Sequence, residues 1–254
     1  MLPGDPDSDS VDDLTARGYD RLARDPPTHD RLASPWADSP SQRHYVWPAV
    51  RSLRAALSGR RVPDAGCGVG HYAEWVSRAG GATLTGVDAG REALAAARER
   101  YGDAVRFRRL DPTDGLAFAD DGAFDLAFCN LVLDHVADWE PVLSESRRVP
   151  EPGGRLVVAT IHPFRRYLDH REELDSYHET ERYVVEWGDT DVEIPSYCRP
   201  MPSVVGSLVR AGLSITAFGE PTPTDAYRDH DPERYETASK PPDTLCIRAR
   251  TQPE

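Results

Sequence analysis

Residues 64 to 70 read Asp64-Ala-Gly-Cys-Gly-Val-Gly70. Glycines at 66, 68 and 70 permit a tight turn and let a ligand approach the backbone closely, and a helix opening near Gly70 would offer it free N–H groups. Asp88 closes the next apolar run, Ala82-Thr-Leu-Thr-Gly-Val-Asp88. A carboxylate at that point can accept both hydroxyls of a ribose. Asp111, in Leu110-Asp-Pro-Thr-Asp114, is placed to accept from an adenine amino group. Each carboxylate alone also fits a cap or a turn, but together they place one nucleoside across three successive strand ends. A dinucleotide fingerprint would put glycine at position 71, which is His71, so the G-x-G-x-G spacing disfavours nicotinamide chemistry. Two histidines near later strand ends, His135 and His162, are candidate general bases. Beside that reading stands a structural one, a packed helix-start residue for His135 and a hydrogen-bonded strand-end residue for His162.

The elements that position these residues alternate. Apolar residues from Tyr45 to Leu57 mark one face of a helix over 41–57, with Gly59 at its end. Tyr45 and Trp47 belong to that face and read as core, with a cover over the ligand as the alternative. A strand ending near Asp64, a helix over 71–78, a strand over 82–88, a helix over 92–101 and a strand over 105–110 follow. A fourth strand, 124–130, leads to a helix over 139–149, and the turn Glu151-Pro-Gly-Gly154 precedes a fifth strand, 155–161. The pattern predicts an α/β, Rossmann-like, doubly wound sheet with helices on both faces and its site at the strand C-termini. It breaks at 163–200, a charged stretch carrying Tyr167, Tyr177, Tyr183, Trp187 and Tyr197, read as a lid-like insertion over the site. Helix 203–211 and strands 213–218 and 244–250 complete one domain, 41–254. Residues 1–40, rich in Asp, Pro and Ser, form a partly flexible arm with a short helix at 11–24.

Composition narrows the function. The formal net charge is −13 and Lys240 is the single lysine, a balance that repels nucleic-acid phosphates and suits a salt-rich cytoplasm or a GC-rich genome equally. No run is long enough to span a bilayer and no secretory leader opens the chain, so a cytoplasmic protein without a membrane partner is expected. Four widely spaced cysteines and eight histidines lack metal-ligand spacing, so no bound metal is expected.

In order, the turn 64–70, Asp88, Asp111, the stretch Phe124 to His135 and the run Arg147-Arg-Val-Pro-Glu-Pro-Gly-Gly154 resemble the class I S-adenosylmethionine-dependent methyltransferases over roughly 45–162. The resemblance implies a seven-stranded mixed sheet ending in a reversed hairpin. The implied cofactor is S-adenosylmethionine, with S-adenosylhomocysteine as product and a small molecule as methyl acceptor. It assigns Asp64 to the methionine amine, Gly66, Cys67, Gly68 and Gly70 to the methionine part, Asp88 to the ribose, Asp111 with Pro112 to the adenine, and Asn130 with Leu131 to the floor beside the sulfonium. Pro63 and Pro150 stand where leucine is usual. Pro63 is expected to weaken its strand, because proline removes a ladder donor. A cofactor-binding protein without transfer activity is the alternative.

Overall fold

The computed structural model describes residues 11–24, 40–54, 56–78, 80–187 and 190–251. Of the N-terminal arm, 1–10 and 25–39 lie outside the described residues. The remainder begins with α1 (Val11–Arg24), a π-helical turn (Gln42–Val46) and α2 (Trp47–Leu53). There follow β1 (Arg61–Ala65), α3 (Ala73–Ser77), β2 (Thr83–Asp88), α4 (Arg91–Tyr101), β3 (Arg106–Arg109), β4 (Phe124–Asn130), α5 (Glu140–Arg148) and β5 (Pro150–Ile161). The stretch at 163–200 folds as α6 (Pro163–His170) and an antiparallel hairpin of β6 (Glu181–Glu186) and β7 (Glu193–Cys198). The chain closes with α7 (Met201–Arg210), β8 (Leu213–Gly219), α8 (Asp225–His230), α9 (Pro232–Ala238) and β9 (Thr244–Thr251). The sequence pattern did not anticipate α8 and α9, which are short and lack an apolar stripe.

Seven strands form one sheet in the order β3-β2-β1-β4-β5-β9-β8, parallel except for β9, which runs against both β5 and β8. Alternation along each strand sorts side chains to two faces. Val62, Leu126, Phe128, Val157 and Ala159 pack against α2, α3 and Tyr227 of α8; Ala127, Cys129, Leu156, Val158 and Ile247 pack against α5 and α7. Each fully buried Leu or Phe among them contributes about 1.5–3 kcal/mol. Tyr45 and Trp47 lie in this core, and the Tyr45 hydroxyl accepts the N–H groups of Asp243 and Thr244 at 3.0 and 3.1 Å. The four cysteines are buried and unpaired with one another. Among the described residues no helix is long and apolar enough to cross a membrane.

Two strands differ from expectation. β5 begins at Pro150 rather than Arg155, because Phe124 already pairs Pro150; the register then jumps to Leu126↔Arg155, and the intervening residues bulge out, with Gly153 at φ +78°. Pro63 leaves β1 in unbroken register with β2, from Arg61↔Thr83 to Ala65↔Val87. On the other side pairing with β4 starts only at Asp64, and there Asp125 Oδ2 accepts the Arg61 N–H at 2.7 Å. The expected weakening is thus confined to one edge, where a side chain stands in for the ladder. Asp125 also meets the guanidinium groups of Arg60 and Arg61 at 3.1 and 3.3 Å. Asp125→Ala should therefore lower unfolding stability by about 1–3 kcal/mol in urea titration; an unchanged midpoint would show that β1 does not depend on this replacement.

Candidate functional site

At the C-terminal end of β1 the chain must reverse without side-chain bulk. Gly66 has φ +73°, and a Cβ there would sit 2.1 Å from Val132 Cγ2; Gly68, at φ +52°, faces open space. Asp88, ending β2, accepts the Gly68 N–H through Oδ2 and the Gly90 N–H through Oδ1, both at 2.8 Å. One carboxylate thus holds the glycine turn and the entry to α4 together. Burial raises its pKa, with nearby Asp20 and Asp111 adding, although the two N–H donors oppose the shift.

A pocket of about 1060 Å³, its mouth included, opens above this turn. Gly66, Cys67, Gly68, Asp88, Asp111, Pro112, Asn130, Leu131 and His135 line it, so nine of the twelve expected site residues meet in one cavity. Asp111 Oδ1 accepts from the Thr113 N–H and hydroxyl at 2.8 and 2.7 Å, which orients the carboxyl at the end of the β3 segment. Leu131 adopts φ +57°, a conformation side chains resist, and its N–H donates to Ala159 O at 2.6 Å. That kink turns the chain after β4 along the pocket floor.

The other three expected residues lie elsewhere. Asp64 is 1% exposed, beneath the turn, with Oδ2 unpartnered; burial, then Asp88, pushes its carboxyl well above the usual carboxylate range. Gly70 (φ +86°) serves packing, since a Cβ there would meet Tyr101 Cε2 at 2.8 Å. His162 caps α6 by accepting the Phe164 N–H at Nδ1 (3.2 Å), and its Nε2 meets Glu220 at 2.9 Å. It lines neither this pocket nor the next. A base role for it lacks the geometry, because both ring nitrogens are engaged away from the cavity.

His135 is held quite differently. Pro195 O, which can only accept, lies 3.0 Å from Nδ1, so that nitrogen carries the proton and Nε2 accepts from the Tyr19 hydroxyl at 2.8 Å. Ser196 Oγ stands 3.2 Å from Nδ1. Burial is the main cause of a pKa below the ordinary imidazole value; Arg166 adds to it, while the Pro195 bond and Asp134 oppose it. The imidazole therefore favours its neutral form at pH 7.

Tyr19 comes from α1, which crosses the mouth of the pocket. Asp20 accepts the Arg91 and Glu92 N–H groups at 3.1 and 2.8 Å, capping α4 from another helix. Leu22 packs with Trp187, Val192 and Ile194 of the hairpin, and Gly18 lies so close to Ile194 that a Cβ would meet Cγ1 at 2.8 Å. A second pocket of about 1080 Å³, mouth included, shares Tyr19, Leu131 and His135 with the first and continues between α6, the hairpin and α9. Sequence reasoning missed Tyr19, Arg166 and Arg234 at these walls. Each is an ordinary helical residue by spacing, and only chain packing brings Tyr19 to His135, 116 positions away.

Residues 63–158 match the family described as a methyltransferase domain. Over 153 residues the chain is 33% identical to a ubiquinone biosynthesis O-methyltransferase of Pseudomonas aeruginosa, covering 58% of this chain and 59% of that protein. The chain thus spans about three fifths of the length of that curated relative. A crystal structure of an S-adenosylmethionine-dependent methyltransferase from Mesorhizobium loti superposes with a TM-score of 0.69 at 28% identity, covering 80% of this chain and 96% of that one. A geranyl diphosphate C-methyltransferase from Streptomyces coelicolor, solved with S-adenosylhomocysteine, shares the fold across 99% of this chain and 100% of its own, at a TM-score of 0.62 and 16% identity. Sequence likeness over residues 63–158 and the shared seven-stranded fold agree that this region is a class I S-adenosylmethionine-dependent methyltransferase domain.

Proposed function

We propose that the protein transfers a methyl group from S-adenosylmethionine to a small-molecule acceptor. The observation that carries this reading is the junction: a glycine-turn pocket and a second pocket meet at Tyr19, Leu131 and His135. A donor in one and an acceptor in the other would face each other there, as an in-line displacement requires.

The residues present fit the cofactor. Asn130 lines the first pocket with its amide oxygen and nitrogen unpartnered, and Asp64 keeps a buried oxygen without a donor beneath it. Buried polar atoms left unsatisfied cost about 1–3 kcal/mol each, so they favour a ligand that completes them. Asp88 would hold the ribose and Asp111 the adenine. The pocket carboxyl groups Asp88 and Asp111 suit a ligand with cationic ammonium and sulfonium groups. When bound, S-adenosylmethionine supplies an electrophilic methyl, whose C–S electrons stay on sulfur as S-adenosylhomocysteine when an acceptor lone pair takes the carbon.

The protein's own part is alignment, exclusion of water and removal of one proton. Helix α1 and the segment 163–200 act as a cover over the junction. The Tyr19 hydroxyl takes the acceptor's proton while passing its own to His135 Nε2, and the Nδ1 bond to Pro195 fixes the tautomer that accepts it.

In calorimetric titration the wild type should bind S-adenosylhomocysteine saturably, and Asp88→Ala should lose at least tenfold in affinity. A folded wild type that binds neither this nor S-adenosylmethionine overturns the methyltransferase reading. With an acceptor that turns over, His135→Gln should lower kcat by about 10²–10⁴ with cofactor affinity unchanged; binding without turnover on any acceptor would instead favour a non-catalytic protein. Because the folded pKa of His135 is lowered, the base form persists as pH falls below 6.5 and is lost only at a more acidic midpoint. An NMR titration of the ring protons with a midpoint at or above 6.5 would contradict the neutral base.

A further inference from the structure

The second pocket carries two guanidinium groups with buried nitrogens that the protein leaves without acceptors. Arg166, on α6, lines it with Nε buried and without an acceptor; Arg234, on α9, lines it with Nε and Nη2 in the same state. A buried N–H without an acceptor is costly, whereas a planar anion meets a guanidinium's parallel N–H groups two at a time. Two carboxylates share the pocket. Asp134 supports the charge of Arg166 from nearby, but its oxygens accept from Thr160 Oγ1 at 2.8 Å and the Ile161 N–H at 3.1 Å rather than from the guanidinium. Glu186 is exposed at the rim. The cavity lining therefore combines guanidinium nitrogens without acceptors, the apolar side chains Trp187, Val185 and Ile161, and the Tyr19–His135 pair.

From this polarity we infer that the acceptor is an anion, a small molecule bearing a carboxylate or phosphate that Arg166 and Arg234 grip while its nucleophilic atom points toward Tyr19. The inference rests on the methyl-transfer reading for the role of the pocket, but not for its chemistry. In an otherwise acidic protein these two guanidinium groups select the acceptor by charge, and the uncharged Tyr19–His135 pair receives its nucleophilic atom.

The test uses protein saturated with S-adenosylhomocysteine and three probes of similar shape: benzoate, phenyl phosphate and neutral benzamide. At least one anion should bind tenfold or more tighter than benzamide by calorimetry, benzoate in the lead assigning a carboxylate and phenyl phosphate a phosphate. Arg166→Met and Arg234→Met should each lose at least fivefold for that anion while S-adenosylhomocysteine affinity stays unchanged, which also reports a folded protein. Arg166→Lys and Arg234→Lys should retain part of it, as they keep charge without the paired donors. If neither anion binds more tightly than benzamide, or if the preference survives in all four variants, the inference is wrong. Loss of S-adenosylhomocysteine binding in the wild type would instead remove the methyl-transfer reading beneath it.

Discussion

The carboxylate of Asp88 is the constraint from which the site is built. Its two oxygens tie the glycine turn after β1 to the start of α4, through Gly68 and Gly90. Those N–H groups belong to a turn and a helix start, where no ladder would satisfy them. Without the carboxylate the turn would have to find another partner, and the pocket above it would lose its shape. Glycine is obligatory at 66 for a complementary reason, since Val132 occupies the space a side chain would need. Asp88, which holds the turn, also lines the pocket, so the shape of the turn and that of the pocket cannot be separated at this position.

A second linkage ties α1 and the hairpin to the imidazole of His135. In the C-terminal half of helix α1, Asp20 caps α4 and Leu22 packs on the hairpin, and beside them Tyr19 reaches His135. Pro195 of the hairpin fixes the other side of the same imidazole. Three segments distant in sequence therefore meet on one ring. Each anchor is modest by itself, about 1 kcal/mol for an ordinary hydrogen bond, yet together they leave the imidazole one orientation and one tautomer.

Much of this protein was legible in advance because local rules applied. A glycine turn between apolar runs, carboxylates at successive run ends and alternating periodicities marked the parallel strands and the nucleoside pocket, and the family resemblance supplied the reversed final strand. The pattern did less well where local rules stop. Pro63 looked damaging because the sequence does not show that Asp125, on the neighbouring strand, would take over the Arg61 N–H. His162 and His135 were equivalent as strand-end histidines, but one caps a helix beside Glu220 and the other stands between two pockets.

What the sequence determined by itself is the set of interactions between residues close along the chain: the turn at 64–70, the strand ends at 88 and 111, and the helix faces that must be buried. Tertiary structure alone decided what lies opposite them. The placement of Tyr19 over His135, and of Arg166 and Arg234 in one cavity, arises from packing α1, the hairpin and α9 against the sheet. No periodicity encodes such meetings, because a side chain's partners across a cavity depend on how whole elements dock rather than on the residues beside it.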